Sequence, residues 1–483
     1  MIKLTLAEMV QAMGGRPWGE LPTVSVGGIS TDSRTAAASD LFFAIRGPRF
    51  DGHDYAVAAL KRGAVAVVVE AAQAERVAEQ LRTADLPLPR SAVLLEVDDT
   101  VAALGRLAAY HRRQLAAEVI AVVGSNGKTT TKAMIHHILS GRLRGRCSPK
   151  SYNNAVGVPL TLLLAEPGDE YLVVEIGTNA PGEIAALGSI VAPDMAVITC
   201  IGEEHLEGLG DLDGVAAEEC AILAKIRGKG FAAVNIETAA VKKYFPLDGV
   251  RVTTFGQAPE ADVRLTELGY ESPWLRFKLN ERFPFRLRLV GFHNAVNAAA
   301  AVTLARRLGF DYGEAAVRLE SFVAPPMRNE VVETAGVTIV NDAYNANPQS
   351  AAAAVDVLEQ MPCKGQRVVV FGEMRELGAK SAELHRRVAQ RLRDSSVNRV
   401  VLVGGATEVM FEALTCGGLF GPNVERCTDV DDCLERLAGS LQAGDVVLLK
   451  ASRAVELDRL VGPLRERLAA SSPQRVARGD PVA

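Results

Sequence analysis

The sequence predicts an α/β protein built from about three domains, and three observations carry that reading. The chain has 483 residues, and at roughly 150 residues per domain this points to several folding units. From about residue 119 onward, short apolar runs alternate with longer helical stretches, the pattern of parallel strands covered by helices. The segment at 119–139, VIAVVGSNGKTTTKAMIHHIL, runs from an apolar strand through a glycine-bounded loop into a helix.

Composition narrows the class further. Hydrophobic residues make up 48% and charged residues 23%, so each domain can bury a core. With 53 basic and 58 acidic residues the net charge is −5, which offers no overall attraction for nucleic acid or anionic lipid. Cys147, Cys200, Cys220, Cys363, Cys416, Cys427 and Cys433 are odd in number and contain no C-x-x-C pair, so they read as reduced thiols. Glu8 interrupts what would be the apolar core of a signal peptide, and no segment reaches the ~18 uninterrupted apolar residues of a membrane span. A cytoplasmic protein with no nucleic-acid partner and no stable membrane insertion is expected.

Taken in order, LFFAI at 41–45, AVAVVV at 64–69 and a helical piece at 54–62 suggest a small α/β domain over 1–88. VIAVV at 119–123, EYLVVEI at 170–176, MAVIT at 195–199 and FAAVN at 231–235 read as buried strands, each followed by a polar or glycine-bearing loop. They place a parallel sheet in a central domain over 89–324. Pro325-Pro326 disfavours helix on both sides and marks the next boundary. Beyond it VTIV at 337–340, RVVVF at 367–371, RVVLV at 399–403 and DVVLL at 445–449 alternate with helical segments such as 349–360 and 380–393, giving a third domain over 325–483. Its polar tail from about residue 470 is expected to fray. Internal repeats and coiled-coil heptads are not evident.

The strand–loop–helix segment has the layout of a phosphate-binding loop. Gly124 and Gly127 permit a tight turn around Ser125 and Asn126, so that N–H groups, including those at the Thr130 helix start, face phosphate oxygens. Lys128 supplies a point charge for the β and γ phosphates and Thr129 a magnesium ligand. The spacing is G-x-x-G-K-T, with Val122 where the longer motif needs its first glycine, which points away from motor and GTPase families. The alternative is a glycine turn with a solvated lysine.

Candidates to complete a magnesium ATP site stand at strand ends. Glu175 closes an apolar run, where a buried carboxylate needs a metal or cation partner. His205 follows the next strand, although Glu203, Glu204 and Glu207 around it allow an ordinary surface histidine. Asn294 and Asn297 lie three apart on one helix face and can read an adenine edge, or cap the helix. Arg328 suits a γ-phosphate reached from the next domain, against a solvated arginine. Asp342 can accept ribose hydroxyls, or form a turn beside Asn345 and Pro348.

These motifs together resemble the Mur ligases, ATP-dependent amide-forming enzymes of peptidoglycan synthesis. The resemblance runs through TDSR at 31–34, LFFAIRGPRFDGHDYA, GSNGKTTTK at 124–132, YNNAVGVPLTLL at 152–163, EIGTNAPGEI at 175–184, HLEGLG at 205–210, GFHNAVNA at 291–298, NDAYNANP at 341–348, GEMRELG at 372–378 and LLKASR at 448–453. It implies an N-terminal domain holding a UDP-sugar, a central P-loop-type ATPase domain and a C-terminal Rossmann-like domain that closes over the site. By analogy Lys128, Glu175, His205 and Arg328 are catalytic. Gly124 to Thr130, Asn294, Asn297, Arg328 and Asp342 bind ATP, and Thr129, Glu175 and His205 serve magnesium. Thr31, Asp32, Ser33 and Arg34 match the uridine-nucleotide motif, though taken alone TDSR reads as a turn. Asn153 and Asn154 match a pair that contacts the muramyl substrate. Ser452 and Arg453 are candidates to seat an incoming dipeptide, against a strand-end turn.

A dinucleotide-type glycine fingerprint at the N-terminus and a D-N-P motif are both absent, which favours one type within the family. That type joins D-alanyl-D-alanine to UDP-N-acetylmuramoyl-tripeptide and is expected to act as a monomer. Another ligase of the superfamily, similar to folylpolyglutamate synthetase, and a non-catalytic nucleotide-binding regulator are the alternatives. One departure stands out. Many relatives carry, about a dozen residues after the HLEG histidine, a lysine that becomes carbamylated and contributes to magnesium binding. Here the stretch reads GVAAEECAIL, and an ungapped alignment sets Glu219 on the lysine position. Glu219 is therefore expected as a genetically encoded carboxylate ligand, the alternative being that Glu218 and Glu219 lie on a solvated helix face.

Overall fold

The computed structural model describes residues 4–86, 93–416 and 421–471. Its strands form three sheets, of five, nine and six strands. The first contains β1 (Arg16–Pro17), β2 (Gly28–Ser30), β3 (Asp40–Phe43), β4 (Ala66–Glu70) and β5 (Val93–Val97), in the order β1-β5-β4-β3-β2. All its pairings are parallel except β1 with β5. Leu41, Phe43, Val68 and Leu95 pack into one core while Phe42, Val67, Val69 and Leu94 pack into another. Both faces are thus covered, which explains why these strands are continuously apolar.

The expected first boundary, between 88 and 89, lies outside the described residues. The expected start of the central domain at 89 is nonetheless corrected, because β5 is hydrogen-bonded to β4 along its length. The first sheet therefore runs through Val97. The last helix runs Val461–Ser471, and the tail expected to fray from about residue 470 lies otherwise outside the described residues.

The second sheet contains β6 (Glu118–Val123), β7 (Gly145–Cys147), β8 (Tyr171–Glu175), β9 (Met195–Ile198), β10 (Phe231–Asn235), β11 (Arg251–Gly256), β12 (Val263–Glu271), β13 (Trp274–Leu279) and β14 (Phe283–Leu287). The order is β14-β13-β12-β11-β10-β9-β6-β8-β7. The chain leaves β6, builds β7 and β8 on one side, then crosses to place β9 on the other. Ligands in open parallel sheets bind in the crevice at such a reversal, beyond the carboxyl ends of the strands. In register Val122 faces Glu175 and Val123 faces Ile198, so the loops after β6, β8 and β9 emerge together. On one face the helices Lys128–Leu139 and His293–Arg307 pack against each other. Alanines at 295, 298, 299 and 301 are fully buried there with Met134, Ile135 and Ile138, and their small size lets the second helix come close to the first.

Only β12, β13 and β14 are antiparallel, an extension of the parallel sheet. Leu275, Phe277 and Leu279 point inward while Arg276 is exposed, so one face is solvated and the strands alternate instead of running apolar.

The third sheet contains β15 (Glu330–Thr334), β16 (Val337–Asp342), β17 (Arg367–Gly372), β18 (Arg399–Val403), β19 (Asn423–Cys427) and β20 (Val446–Lys450), in the order β15-β16-β20-β17-β18-β19. It is parallel apart from the β15–β16 hairpin. No helix among the described residues is long and apolar enough to cross a membrane.

Candidate active site

The loop after β6 is shaped by two glycines with positive φ, +121° at Gly124 and +82° at Gly127. A Cβ at Gly124 would meet Thr199 and Cys200, and one at Gly127 would overlap Asn297 Oδ1, so both positions demand glycine on conformation and on space. The amides of Ser125 and Asn126 donate to Cys200 O at 2.9 Å and Cys200 Sγ at 3.2 Å. The amides of the next turn, at Lys128 to Thr130, have no carbonyl four residues back within the helix and form its positive end. Burial pushes the Cys200 thiol up to about 12, which keeps it protonated and unreactive.

Two buried carboxylates flank Lys128. Its Nζ donates to Gly124 O at 2.5 Å and lies 3.6 Å from Glu204 Oε1. Burial would lower its pKa, but Glu204, Glu219 and Glu175 together raise it above the ordinary lysine range. The solvated-lysine alternative is thereby excluded. Glu219 is fully buried, and its Oε2 accepts from Gly124 N at 2.7 Å. Burial pushes its carboxyl up to about 7, with Lys128 opposing. Glu218 points elsewhere, accepting from Gly182 N and Ile184 N at 2.7 Å each at the start of the helix Glu183–Val191. Neither glutamate is on a solvated face.

Glu175, only 1% exposed at the end of β8, has its expected cation partner. Lys132 Nζ lies 3.0 Å from Oε2, while Oε1 accepts from Thr129 Oγ1 at 3.1 Å and Asn153 Nδ2 at 3.0 Å. Lys132 also donates to Lys150 O. It stands one helical turn after Lys128, a spacing that placed it on the same face but did not identify Glu175 as its partner. Arg328 reaches across from beyond the double proline, with its guanidinium 4.0 Å from the Tyr344 ring and Nη2 3.4 Å from Thr129 Oγ1.

Two neighbouring cavities meet here. The larger, about 290 Å³, is lined by Lys128, Asn153, Asn154, Glu175, Glu204, His205 and Arg328 among others; the second, about 230 Å³, by Gly127, Thr129, Thr130, Asn294, Asn297, Arg328 and Asp342 among others. Both touch Asn126, Gly127, Arg328 and Lys450. One cavity therefore has the phosphate loop at its floor and amides on its wall, and the other joins the same loop to buried acids and a histidine. A nucleotide triphosphate in the second would present its terminal phosphate to a group in the first.

Comparison with known proteins agrees with this arrangement. The chain matches three domain descriptions: Mur ligase family, catalytic domain, over 25–112; Mur ligase middle domain over 122–305; and Mur ligase, glutamate ligase domain, over 327–453. It is 32% identical to the UDP-N-acetylmuramoyl-tripeptide--D-alanyl-D-alanine ligase of Bacillus subtilis and 33% identical to that of Escherichia coli, covering 96% of this chain and 99% of each relative. The chain belongs to the Mur ligase family. Among solved structures, MurF from Acinetobacter baumannii superposes with a TM-score of 0.83 at 30% identity, over 96% of this chain and 98% of that one. MurF from Thermotoga maritima in complex with ADP gives 0.76 at 27% identity, over 92% and 98%.

Within this Mur ligase the remaining expected residues are placed unequally. Asn297 Nδ2 donates to Asn294 Oδ1 at 3.2 Å, and Asn294 Nδ2 to Val290 O at 2.8 Å. Asp342 accepts from Lys450 Nζ at 2.5 Å and Asn329 N at 3.2 Å. Asn154 caps the helix Gly157–Leu163 through Gly157 N at 2.9 Å. Thr31, Asp32, Ser33 and Arg34 follow β2 in the first sheet and line neither cavity. There Asp32 accepts from Arg34 N and pairs with its guanidinium at 2.7 Å, an Asp-centred turn. Ser452 and Arg453 do not reach the cavities either. Ser452 Oγ accepts from Arg375 N at 2.9 Å, and Arg453 pairs with Asp458 at 2.6 Å. Lys450, two residues earlier, faces both cavities instead.

Proposed function

We propose that this Mur ligase joins D-alanyl-D-alanine to UDP-N-acetylmuramoyl-tripeptide at the cost of ATP, in the cytoplasm, giving UDP-N-acetylmuramoyl-pentapeptide for peptidoglycan synthesis. The observation that carries the reading is end-to-end similarity, 96% of the chain against 99% of relatives bearing that name. The two adjoining cavities support it. A carboxylate oxygen of the tripeptide attacks the γ-phosphorus, the bond to the β-phosphate oxygen breaks and ADP departs. The dipeptide amine then attacks the acyl carbon, the carbon–oxygen bond to phosphate breaks, and the amine loses its proton. Lys128 and Arg328 stabilise charge on the moving phosphoryl group, the first-turn amides hold the phosphates, and closure of the third domain excludes water.

Magnesium fits the donor set. Thr129 Oγ1 and the Glu175 carboxylate adjoin the phosphate loop. Glu204 Oε1 and Glu219 Oε1 are buried with no hydrogen-bond partner; Glu204 and His205 border the larger cavity, while Glu219, held on Gly124 N, lines neither cavity. Hard oxygen donors suit this ion, which takes one or two carboxylates and completes its shell with phosphate and water. Bound there it would neutralise charge on the β and γ phosphates. Thr129 and Glu175 would hold it on the nucleotide side, Glu219 and His205 on the acceptor side. Thr31 to Arg34 would receive the uridine nucleotide, Asn153 and Asn154 the muramyl group, Asn294 and Asn297 the adenine, and Asp342 the ribose.

The Glu219 assignment has a consequence for stability. Its folded pKa of about 7 exceeds the ordinary 4.5, so the folded protein keeps a proton that the unfolded chain releases between those values. Stability without ligands falls as pH rises through that window. Glu219→Gln removes the loss and still accepts from Gly124 N. Thermal denaturation is expected to show a gain on the order of 3 kcal/mol above pH 7 and none below about pH 4.5. The same variant loses activity throughout a magnesium titration; full activity would end the ligand role.

The functional reading is tested by phosphate release from ATP with UDP-N-acetylmuramoyl-tripeptide, with and without D-alanyl-D-alanine. Release dependent on the dipeptide is expected. Release indifferent to it removes the assignment, and release driven by folates favours the folylpolyglutamate alternative.

A further inference from the structure

His205 is gripped from another domain. Its Nδ1 lies 2.5 Å from Oε2 of Glu376, in the loop after β17. Both residues have positive φ, +49° at His205 and +63° at Glu376, a conformation that costs non-glycine residues energy and persists where the surroundings impose it. The two loops also meet through the backbone, Glu207 N donating to Glu376 O at 3.3 Å. Gly378, with φ +55°, lies so near Glu207 that a Cβ there would come 3.1 Å from its Cα. Arg387 pairs with Glu203 beside them. Left-handed backbone on both sides thus directs two side chains at each other across the junction.

Nδ1 is buried and makes no aligned hydrogen bond in this arrangement, and the Glu376 carboxylate is the acceptor beside it, so the other ring nitrogen is the one left for the site. Nε2 lies 3.7 Å from Glu204 Oε2, and His205 borders the larger cavity whereas Glu376 does not. A histidine that ligates a metal gives its second N–H to a carboxylate or carbonyl, which fixes the tautomer and ring plane. The Glu376 side chain is 54% exposed, and a surface ion pair of that kind adds little stability by itself. Its value lies in orientation.

We propose that Glu376 is a positioning residue for His205: when the third domain docks, its carboxylate takes the Nδ1 proton in a hydrogen bond, leaving the Nε2 lone pair toward the cavity for a divalent cation. The cation side of the site is then complete only in the closed arrangement. This rests on reading the cavities as a metal–nucleotide ligase site.

The test is Mn²⁺ binding, followed by electron paramagnetic resonance, to the full chain with a non-hydrolysable ATP analogue. Glu376→Ala is expected to weaken Mn²⁺ affinity about 10–100-fold, with analogue binding in the absence of metal and the thermal midpoint unchanged. Glu376→Gln, whose amide oxygen still accepts the Nδ1 proton, recovers most of the affinity. Wild-type affinity in the alanine variant overturns the inference alone, as does a glutamine variant no better than alanine. A parent protein that binds no Mn²⁺ overturns the metal–nucleotide reading and the inference with it.

Discussion

Replacing Lys128 with alanine lowers turnover by about 10²–10⁴, equivalent to roughly 3–5 kcal/mol of transition-state stabilisation. The amine sits at the mouth of the phosphate loop, held meanwhile by Gly124 O at 2.5 Å, and an arriving phosphate replaces that carbonyl with a stronger charged partner. Steady-state kinetics should show the loss mainly in kcat, because the first-turn amides still bind the nucleotide. The substitution also uncovers Glu204 and Glu219, whose carboxyls burial already pushes up while Lys128 opposes. Without the lysine they rise further and the folded protein binds protons more tightly. The variant should therefore match the parent in thermal denaturation at acidic pH, where the carboxyls are protonated in both states, and fall below it above neutrality. A variant with full turnover would remove the phosphate-loop argument.

That coupling between a lysine and two acids was not legible from local pattern, although the lysine was. Strands buried on both faces announce themselves as continuous apolar runs, so every strand expected from such a run lies within the sheets. The phosphate loop was equally visible, because its glycines, lysine and threonines are contiguous. What local pattern withholds is partnership over long sequence distance. Lys132 pairs with Glu175 across 43 positions, and Glu376 meets His205 from another domain. Of the strands not expected, β7 is only three residues long, β15 alternates exposed and half-buried positions as the outer strand of a hairpin, and β5 carries Glu96 within its apolar run. The ribbon β12–β14 was missed because its alternation differs from the runs that define the rest of its sheet. Glu219 is the informative intermediate: its position against a family pattern suggested a ligand, and only its burial on Gly124 N excluded a solvated helix face.

Asp342→Ala is the substitution expected to cost most in stability, about 3–5 kcal/mol. Asp342 and Lys450 are register partners on the adjacent strands β16 and β20, so the pair is fixed by the sheet and not by flexible loops. Their side chains are only 10% and 3% exposed, with Nζ 2.5 Å from Oδ2. Burial already lowers the Lys450 pKa while Asp342 opposes; removing the carboxylate leaves only the lowering. The folded variant then holds fewer protons than its unfolded chain. Its deficit should be largest at neutral pH and shrink as pH climbs toward the ordinary lysine range, where both states become neutral. Adding Lys450→Met removes the uncompensated charge and should restore most of the stability in chemical denaturation, as apolar replacement of a buried ion pair commonly does. Activity should not return with it, since Asp342 and Lys450 both face the nucleotide cavity and the double variant has neither. Equal stability of the single and double variants would show that the sheet tolerates a lone buried ammonium, and the pair would lose its structural role.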